Sequence, residues 1–187
     1  MAKIAGSFAT ASVNILSADA YTRDDDIMLG VFRVCDPNFQ PVTDESERHQ
    51  VESVLRQALS VPEFDFGPLL QRARRRPVYQ VSAEIELPTK LTISNEVHPA
   101  YTVIDLQTAD RMGLLYDVLR CFASVQMNIA HSRIATEKGA AFDSFYVNDA
   151  EGRKLSSQPL IAQLRASLLT AATGVKMERT PRTPGSP

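Results

Sequence analysis

The chain has 187 residues, 44% of them hydrophobic and 22% charged, with 20 Lys plus Arg against 22 Asp plus Glu. That composition is ordinary for a globular protein of one large or two small domains. A formal net charge of −2 provides no broad field to draw in nucleic acid or an anionic membrane, and no apolar run approaches the roughly 20 residues that a membrane span needs.

The two cysteines stand in unrelated settings, Cys35 in a strand pattern and Cys121 in a helical one. Neither has a Cys or His at metal-ligand spacing, so buried, reduced thiols are expected, with no disulfide framework. No signal-peptide pattern opens the sequence, and a cytosolic location is expected.

In chain order, Ala2 to Ser12 reads as a helix with Ile4 and Phe8 on its apolar face. Strands follow at Asn14 to Thr22 and Ile27 to Cys35, joined through Arg23 and Asp24 to Asp26. A second helix is lined by Val51, Val54, Leu55 and Leu59. From Ser60 to about Lys90, Pro62, Pro68, Pro77 and Pro88 exclude a long helix. A short helix at Phe66 to Arg76 and strands at Val78 to Leu87 and Leu91 to Ile93 fit there, one of which can close the first unit. Tyr101 to Thr108 is a strand with Thr102, Ile104 and Leu106 on one face, ending in the loop Asp110-Arg111-Met112-Gly113. Leu114, Leu115, Val118, Leu119, Phe122 and Val125 then recur at helical spacing. Asn128 to Thr136 and Ala141 to Asn148 form a hairpin across Glu137-Lys138-Gly139, with Phe145 and Val147 on one side. Leu160, Ile161, Leu164 and Leu168 mark a last helix, and the tail from 176 to 187 is expected to be disordered.

The sequence contains an internal repeat. Phe8-Ala9 through Asn14-Ile15 matches Phe122-Ala123 through Asn128-Ile129, and Phe32-Arg33-Val34-Cys35-Asp36 matches Phe145-Tyr146-Val147-Asn148-Asp149. A polar turn and an amphipathic helix follow in each copy. The fold class expected is α+β: tandem ferredoxin-like βαββαβ modules with antiparallel sheets, the first lacking its opening strand. The boundaries expected are 1–60 for the first module, 61–95 for a linker, 96–175 for the second module and 176–187 for the tail. Because the first module begins at its helix, the chain is expected to be a fragment of a longer protein or a truncated form.

At Asp110 to Leu115 a strand gives way to a helix across a glycine. Amides at a helix N-terminus seat a carboxylate, and Gly113 permits close approach of a ligand or a neighbouring backbone. Asp110 can cap the helix or hold an amino group, so the loop suits either a simple turn or an amino-acid site. No catalytic grouping emerges: His49 lies in a charged helix, His98 precedes Pro99, and His131 is mid-strand. No metal site and no cofactor are expected.

Asp110-Arg111-Met112-Gly113-Leu114-Leu115 resembles the Asp-Arg-Pro-Gly-Leu-Leu loop of ACT domains, small ferredoxin-like modules that bind amino acids and regulate attached enzymes. Tyr101 to Asp105, Ser132 to Thr136, Asp143 to Val147 and Asp149 to Lys154 extend the likeness, as do Asn14 to Arg23 and Phe32 to Asp36 in the first copy and Ile93 to Val97 before the second. In this order they resemble the C-terminal tandem ACT region of the bifunctional PII uridylyltransferase/uridylyl-removing family. The resemblance implies a regulatory role without catalytic residues in this chain, the chemistry residing in upstream catalytic domains. It also implies an amino-acid ligand, glutamine first. The site it implies comprises Asp110, Arg111, Met112, Gly113, Leu114, Asn128 and Ile129. Met112 stands where the family usually has proline, and the first copy has no such loop.

Two other classes are weighed. A module lacking its first strand exposes an edge that invites pairing, so a homodimer or a docking role, with the PII protein among possible partners, is expected. RNA binding has less support, because the aromatic that a stacking platform needs after Gly139 is Ala140, and the cluster from Arg72 to Arg76 reads as a solvated helix end.

Overall fold

A computed structural model describes residues 1–23, 27–75 and 87–174. The expected strand at Val78 to Leu87 and the tail fall almost wholly outside those residues. The described elements run α1 (Ala2–Thr10), β1 (Asn14–Thr22), β2 (Met28–Cys35), α2 (Glu45–Ser60), α3 (Gly67–Arg74), β3 (Lys90–Ser94), β4 (Thr102–Ala109), α4 (Leu114–Ser124), β5 (Asn128–Glu137), β6 (Ala140–Asn148) and α5 (Gln158–Thr173). The fold is α+β. One six-stranded antiparallel sheet runs through both repeats in the order β2-β1-β5-β6-β4-β3.

The repeat is reproduced down to single hydrogen bonds. After α1, Ser12 takes a left-handed φ of 61° and the Val13 N–H donates to the Phe8 carbonyl at 3.0 Å. After α4, Gln126 takes φ 54° and the Met127 N–H donates to the Phe122 carbonyl, also at 3.0 Å. Both hairpins shift register at the same place, between Ile15 and Ser17 in one and between Ile129 and His131 in the other. Each then closes on an aspartate. Asp36 Oδ1 accepts from the Asn38 and Gln40 amides, and Asp149 Oδ1 accepts from the Glu151 and Arg153 amides. Local chemistry sets these features, because a short acidic side chain that binds amides two and four residues on fixes the turn.

The repeats join through β1 and β5. Asn14 corresponds to Asn128, so Asp19 corresponds to Arg133, and these two residues are paired in the ladder. Their neighbours pair reciprocally, Ala18 with Ile134 and Ala20 with Ser132. A local two-fold axis therefore passes between Asp19 and Arg133. It also relates two side-chain bonds, Thr22 Oγ1 to the Ile129 carbonyl at 2.8 Å and Thr136 Oγ1 to the Ile15 carbonyl at 3.2 Å.

The core lies between the helices and one face of the sheet. Ile104, Val118, Phe145 and Val147 are fully buried, and Phe122 meets Phe145 edge-on at 4.9 Å between centroids. Each such side chain contributes roughly 1.5–3 kcal/mol by burial. The other face carries Leu29, Val31, Tyr21 and Phe142, all exposed.

Two expectations are corrected and one pair of alternatives is narrowed. The buried face of α1 is the small-residue face, Ala5 and Ala9, while Ile4 and Phe8 are only half-buried. The reason is close approach: a Cβ on Gly6 would lie 2.8 Å from the Phe66 ring. In α2, Leu59 is exposed and only Ala58 is buried, since this helix packs on α1. Of the two strands expected as candidates to close the first unit, Val78 to Leu87 lies almost wholly outside the described residues, and Leu91 to Ile93 does not take that place. As β3 it pairs with β4, Leu91 opposite Leu106 and Ile93 opposite Ile104, and so fills the closing position of the second. Its following residues lock there, with Asn95 donating to the Leu155 carbonyl at 2.7 Å and accepting from Thr102 Oγ1 at 2.6 Å.

A candidate ligand site between the repeats

The sheet junction places α1 and the start of β1 against the loop after β4. Asp110 to Tyr116 from the second repeat and Ala5, Ala9, Asn14 and Ile15 from the first line one cavity. Its floor is the inward row of the sheet: Ile134 and Thr136 of β5, Ala141 and Asp143 of β6. The enclosed volume is about 50 Å³, room for one or two waters.

The loop is built by chemistry legible in the residues. The Asp110 amide donates to the Gly139 carbonyl at 2.7 Å, tying the loop to the β5–β6 turn. Asp110 Oδ1 accepts from the Arg111 amide at 2.8 Å. Gly113 sits at φ +78°, where a side chain is strained; a Cβ there would come within 3.4 Å of Arg74 and 3.7 Å of Leu70. From that residue α4 begins; the Leu114 amide donates to the Arg111 carbonyl at 3.0 Å, and the next amides of the first turn lack helical acceptors.

Arg111 braces the loop. Its guanidinium pairs with Asp117 at 2.7 Å and donates to the Met112 carbonyl and to the Ala171 carbonyl near the end of α5. A cation there also complements the helix dipole. Arg74 adds a longer bond to the Met112 carbonyl at 3.4 Å and stands 3.7 Å from Asp117. The segment expected to be a linker is thus packed on the site, and Arg74 is engaged with the loop. Met112 is buried among the core side chains.

Asp110, Arg111, Met112, Gly113 and Leu114 are brought together, as the sequence suggests. Asn128 and Ile129 are not. They line a separate, wider cleft of about 890 Å³ with Leu119, Ala123, Thr22 and Met28. The local axis explains the separation: that cleft is the mirror position of the candidate site, lacking a loop like Asp110–Gly113. The residues that meet the loop are their repeat counterparts, Asn14 and Ile15. Each asparagine also plays the same local part, Asn14 donating to the Asp36 carbonyl at 3.4 Å and Asn128 to the Asp149 carbonyl at 3.5 Å.

Sequence reasoning missed Asp143. It is 2% exposed; its Oδ1 has no hydrogen-bond partner, and the carboxylate accepts from the Ala135 amide. The inward-facing period of β6, between Ala141 and Phe145, was the available signal. Burial, reinforced by the nearby Asp110 carboxylate, pushes Asp143 up to about 8. Burial also raises Asp110, against the opposing pull of the Arg111 amide and guanidinium.

The histidines are dispersed. His98 Nδ1 accepts from the Ala100 and Tyr101 amides, and His131 stacks on Tyr21 at 4.4 Å. Cys121 is half-buried rather than buried. Among the described residues no group of three His, Cys, Asp or Glu can hold a metal ion, and no helix is long and apolar enough to cross a membrane.

The second repeat is a ferredoxin-like unit with a glycine loop between its first strand and helix, set against a first repeat that begins at α1. Residues 90–181 match the family model described as an ACR9-like, ACT-like domain, and the C-terminal half of the chain is an ACT-like domain. Over nearly its whole length the chain is similar to bifunctional uridylyltransferase/uridylyl-removing enzymes. It is 33% identical over 178 residues to that of Rhodospirillum rubrum, covering 91% of this chain and 18% of the relative. Identity to the Cereibacter sphaeroides enzyme is 30% over 181 residues, 93% of this chain and 19% of the relative. The Azospirillum brasilense enzyme shows 29% over 170 residues, 90% and 18%. The chain is therefore homologous to a portion, about a fifth, of those proteins.

The buried carboxyl yields a stability prediction. Its folded pKa lies above the ordinary value of roughly 3.9, so its contribution is fully present below about pH 4 and is lost as pH rises through about 8. Thermal unfolding at pH 5, 7 and 9 is expected to give a falling Tm. In Asp143→Asn much of that fall disappears and stability at pH 9 is no lower than wild type. An unchanged slope in the variant contradicts the assignment.

Proposed function

We propose that this chain is the regulatory, amino-acid-sensing ACT region of a PII uridylyltransferase-like enzyme, with glutamine the favoured ligand. The observation that carries the reading is the cavity between the repeats. It sets the Asp110–Leu114 loop, with α4 amides, the half-buried Asp110 and the buried Asp143, against Asn14 and Ile15 of the other unit. Amides at the start of α4 suit a carboxylate, and a buried acid suits an ammonium, so the two ends of a free amino acid have complementary seats. The enclosed volume of about 50 Å³ is too small for glutamine. Binding therefore lifts the loop, with Gly113 as a hinge, and the lift is transmitted through Arg111 and Arg74 to α5 and α3. Such a coupled movement is what a sensor needs to act on attached catalytic domains. A cytoplasmic setting and the PII protein as the regulated enzyme's partner belong to the same reading.

Calorimetric titration with glutamine, glutamate, serine and phenylalanine tests it. Saturable heat with glutamine, weaker by at least about tenfold with the others, is expected. Gly113→Val, strained at φ +78°, is expected to lose binding while keeping a cooperative unfolding transition. Equal heats for all four ligands, or normal binding by the variant, overturn the assignment.

Assembly is a second reading, favoured by the edge strand β2 with Leu29 at 64% and Val31 at 65% exposure. A homodimer through this edge is expected to appear in light scattering and to dissociate in Val31→Lys. A monomer at high concentration contradicts it.

A further inference from the structure

Two residues lining the cavity carry a buried polar atom without a partner, Arg111 at Nε and Asp143 at Oδ1. Arg111 is otherwise engaged by the loop and α5, and Asp143 is the one that neither the fold nor the loop accounts for. A buried polar atom without a partner costs about 1–3 kcal/mol, and a charged one more, so its retention needs a reason. The fold is not that reason. In the first repeat the equivalent position is Gly30, and the hairpin there forms with the same register shift and the same aspartate turn. Its ladder neighbours, Leu106 of β4 and Ile134 of β5, are apolar. The unpartnered Oδ1 belongs to a side chain that lines the cavity floor.

The charges around it are few. From the loop come Asp110 and Arg111, while Tyr116 of α4 turns its hydroxyl to Arg120 and the Phe66 backbone. Ala5 and Ala9 of α1, Asn14 and Ile15 of β1, and Ile134 and Thr136 of β5 bring no titratable group. Arg111 directs its guanidinium to Asp117 and the Ala171 carbonyl. Arg111 is thus the cation of the cavity and acts on Asp110, Asp143 on the floor has no cation of its own, and the helix start opposite offers amides.

We infer that Asp143 receives the positively charged nitrogen of the ligand, which makes the site selective for free amino acids over their N-acylated forms. The inference rests on the amino-acid reading above and adds the residue and the ligand group that decide selectivity. One consequence concerns a proton. Burial holds Asp143 protonated up to about 8, and an arriving ammonium favours the ionised carboxylate. Binding at pH 7 therefore expels the proton to solvent, and the new ion pair replaces the unpartnered oxygen.

Titration of the full 187-residue chain with glutamine at pH 7, in phosphate and in Tris, measures proton release from the difference in heats. The wild type is expected to release roughly half to one proton per glutamine and to ignore N-acetylglutamine. Asp143→Asn is expected to bind glutamine at least about tenfold more weakly, with heats independent of buffer. As a readout that needs no variant, the Asp143 side-chain carboxyl ¹³C resonance should move to its ionised position when glutamine is added. No binding of any amino acid by the wild type overturns both this inference and the reading it rests on. Glutamine binding with wild-type affinity in Asp143→Asn, equal binding of N-acetylglutamine, or an unmoved carboxyl resonance in the bound state overturns this inference alone.

Discussion

The antiparallel pairing of β1 with β5 is the constraint on which the rest of this structure depends. The first repeat presents no complete sheet without it, whereas β5, β6, β4 and β3 already form a four-stranded sheet in the second. β1 and β2 alone would be a two-stranded hairpin, which is marginal in water. By pairing about an axis between Asp19 and Arg133, the repeats share one sheet and set α1 beside α4. That arrangement carries Asn14 and Ile15 across to the Asp110–Gly113 loop. The cavity is thus a product of the junction, and neither half lines all of it.

The same axis makes the molecule's asymmetry interpretable. Two clefts lie at related positions, but only one has a glycine loop over it and a carboxylate beneath. Gly30, the repeat counterpart of Asp143, does not line the other cleft, and Asn128 and Ile129 face no such loop there. A duplicated module can keep its turns, bulges and asparagine contacts because these are local. Its two clefts can still diverge, because each draws residues from both copies. Arg111 and Arg74 then give the equipped cleft mechanical reach, joining its loop to Asp117 and to the end of α5.

Much of this was legible in the sequence, for identifiable reasons. β1 was read with its observed bounds because alternation and the Asn-Ile start are local signals. The inward faces of β4 and β6 were read from period 2, and Thr102, Ile104, Phe145 and Val147 are all buried. The loop was readable because Gly113 adopts a backbone conformation that favours glycine. What failed was non-local. The partner of β3 is set by which edge is open beside β4, and no propensity encodes that. The packing face of α1 is decided by Phe66 lying against Gly6, which a search for large apolar residues overlooks. Asn128 and Ile129 line the other cleft while their counterparts Asn14 and Ile15 meet the loop, since sequence gives the repeat but not the axis. Asp143 was hidden because a charged residue in an alternating strand is assumed to face water, and β6 places it inward.

The account stands or falls on where a ligand sits. Backbone amide chemical-shift mapping of the labelled chain during addition of glutamine measures that directly. The account predicts shifts concentrated at Asp110 to Tyr116, Asn14 to Ile15 and Ala141 to Asp143, with the region around Asn128 and Ile129 unmoved. Shifts centred on Asn128, Ile129 and the Leu119–Ala123 side of α4 would contradict it, by placing the ligand in the other cleft.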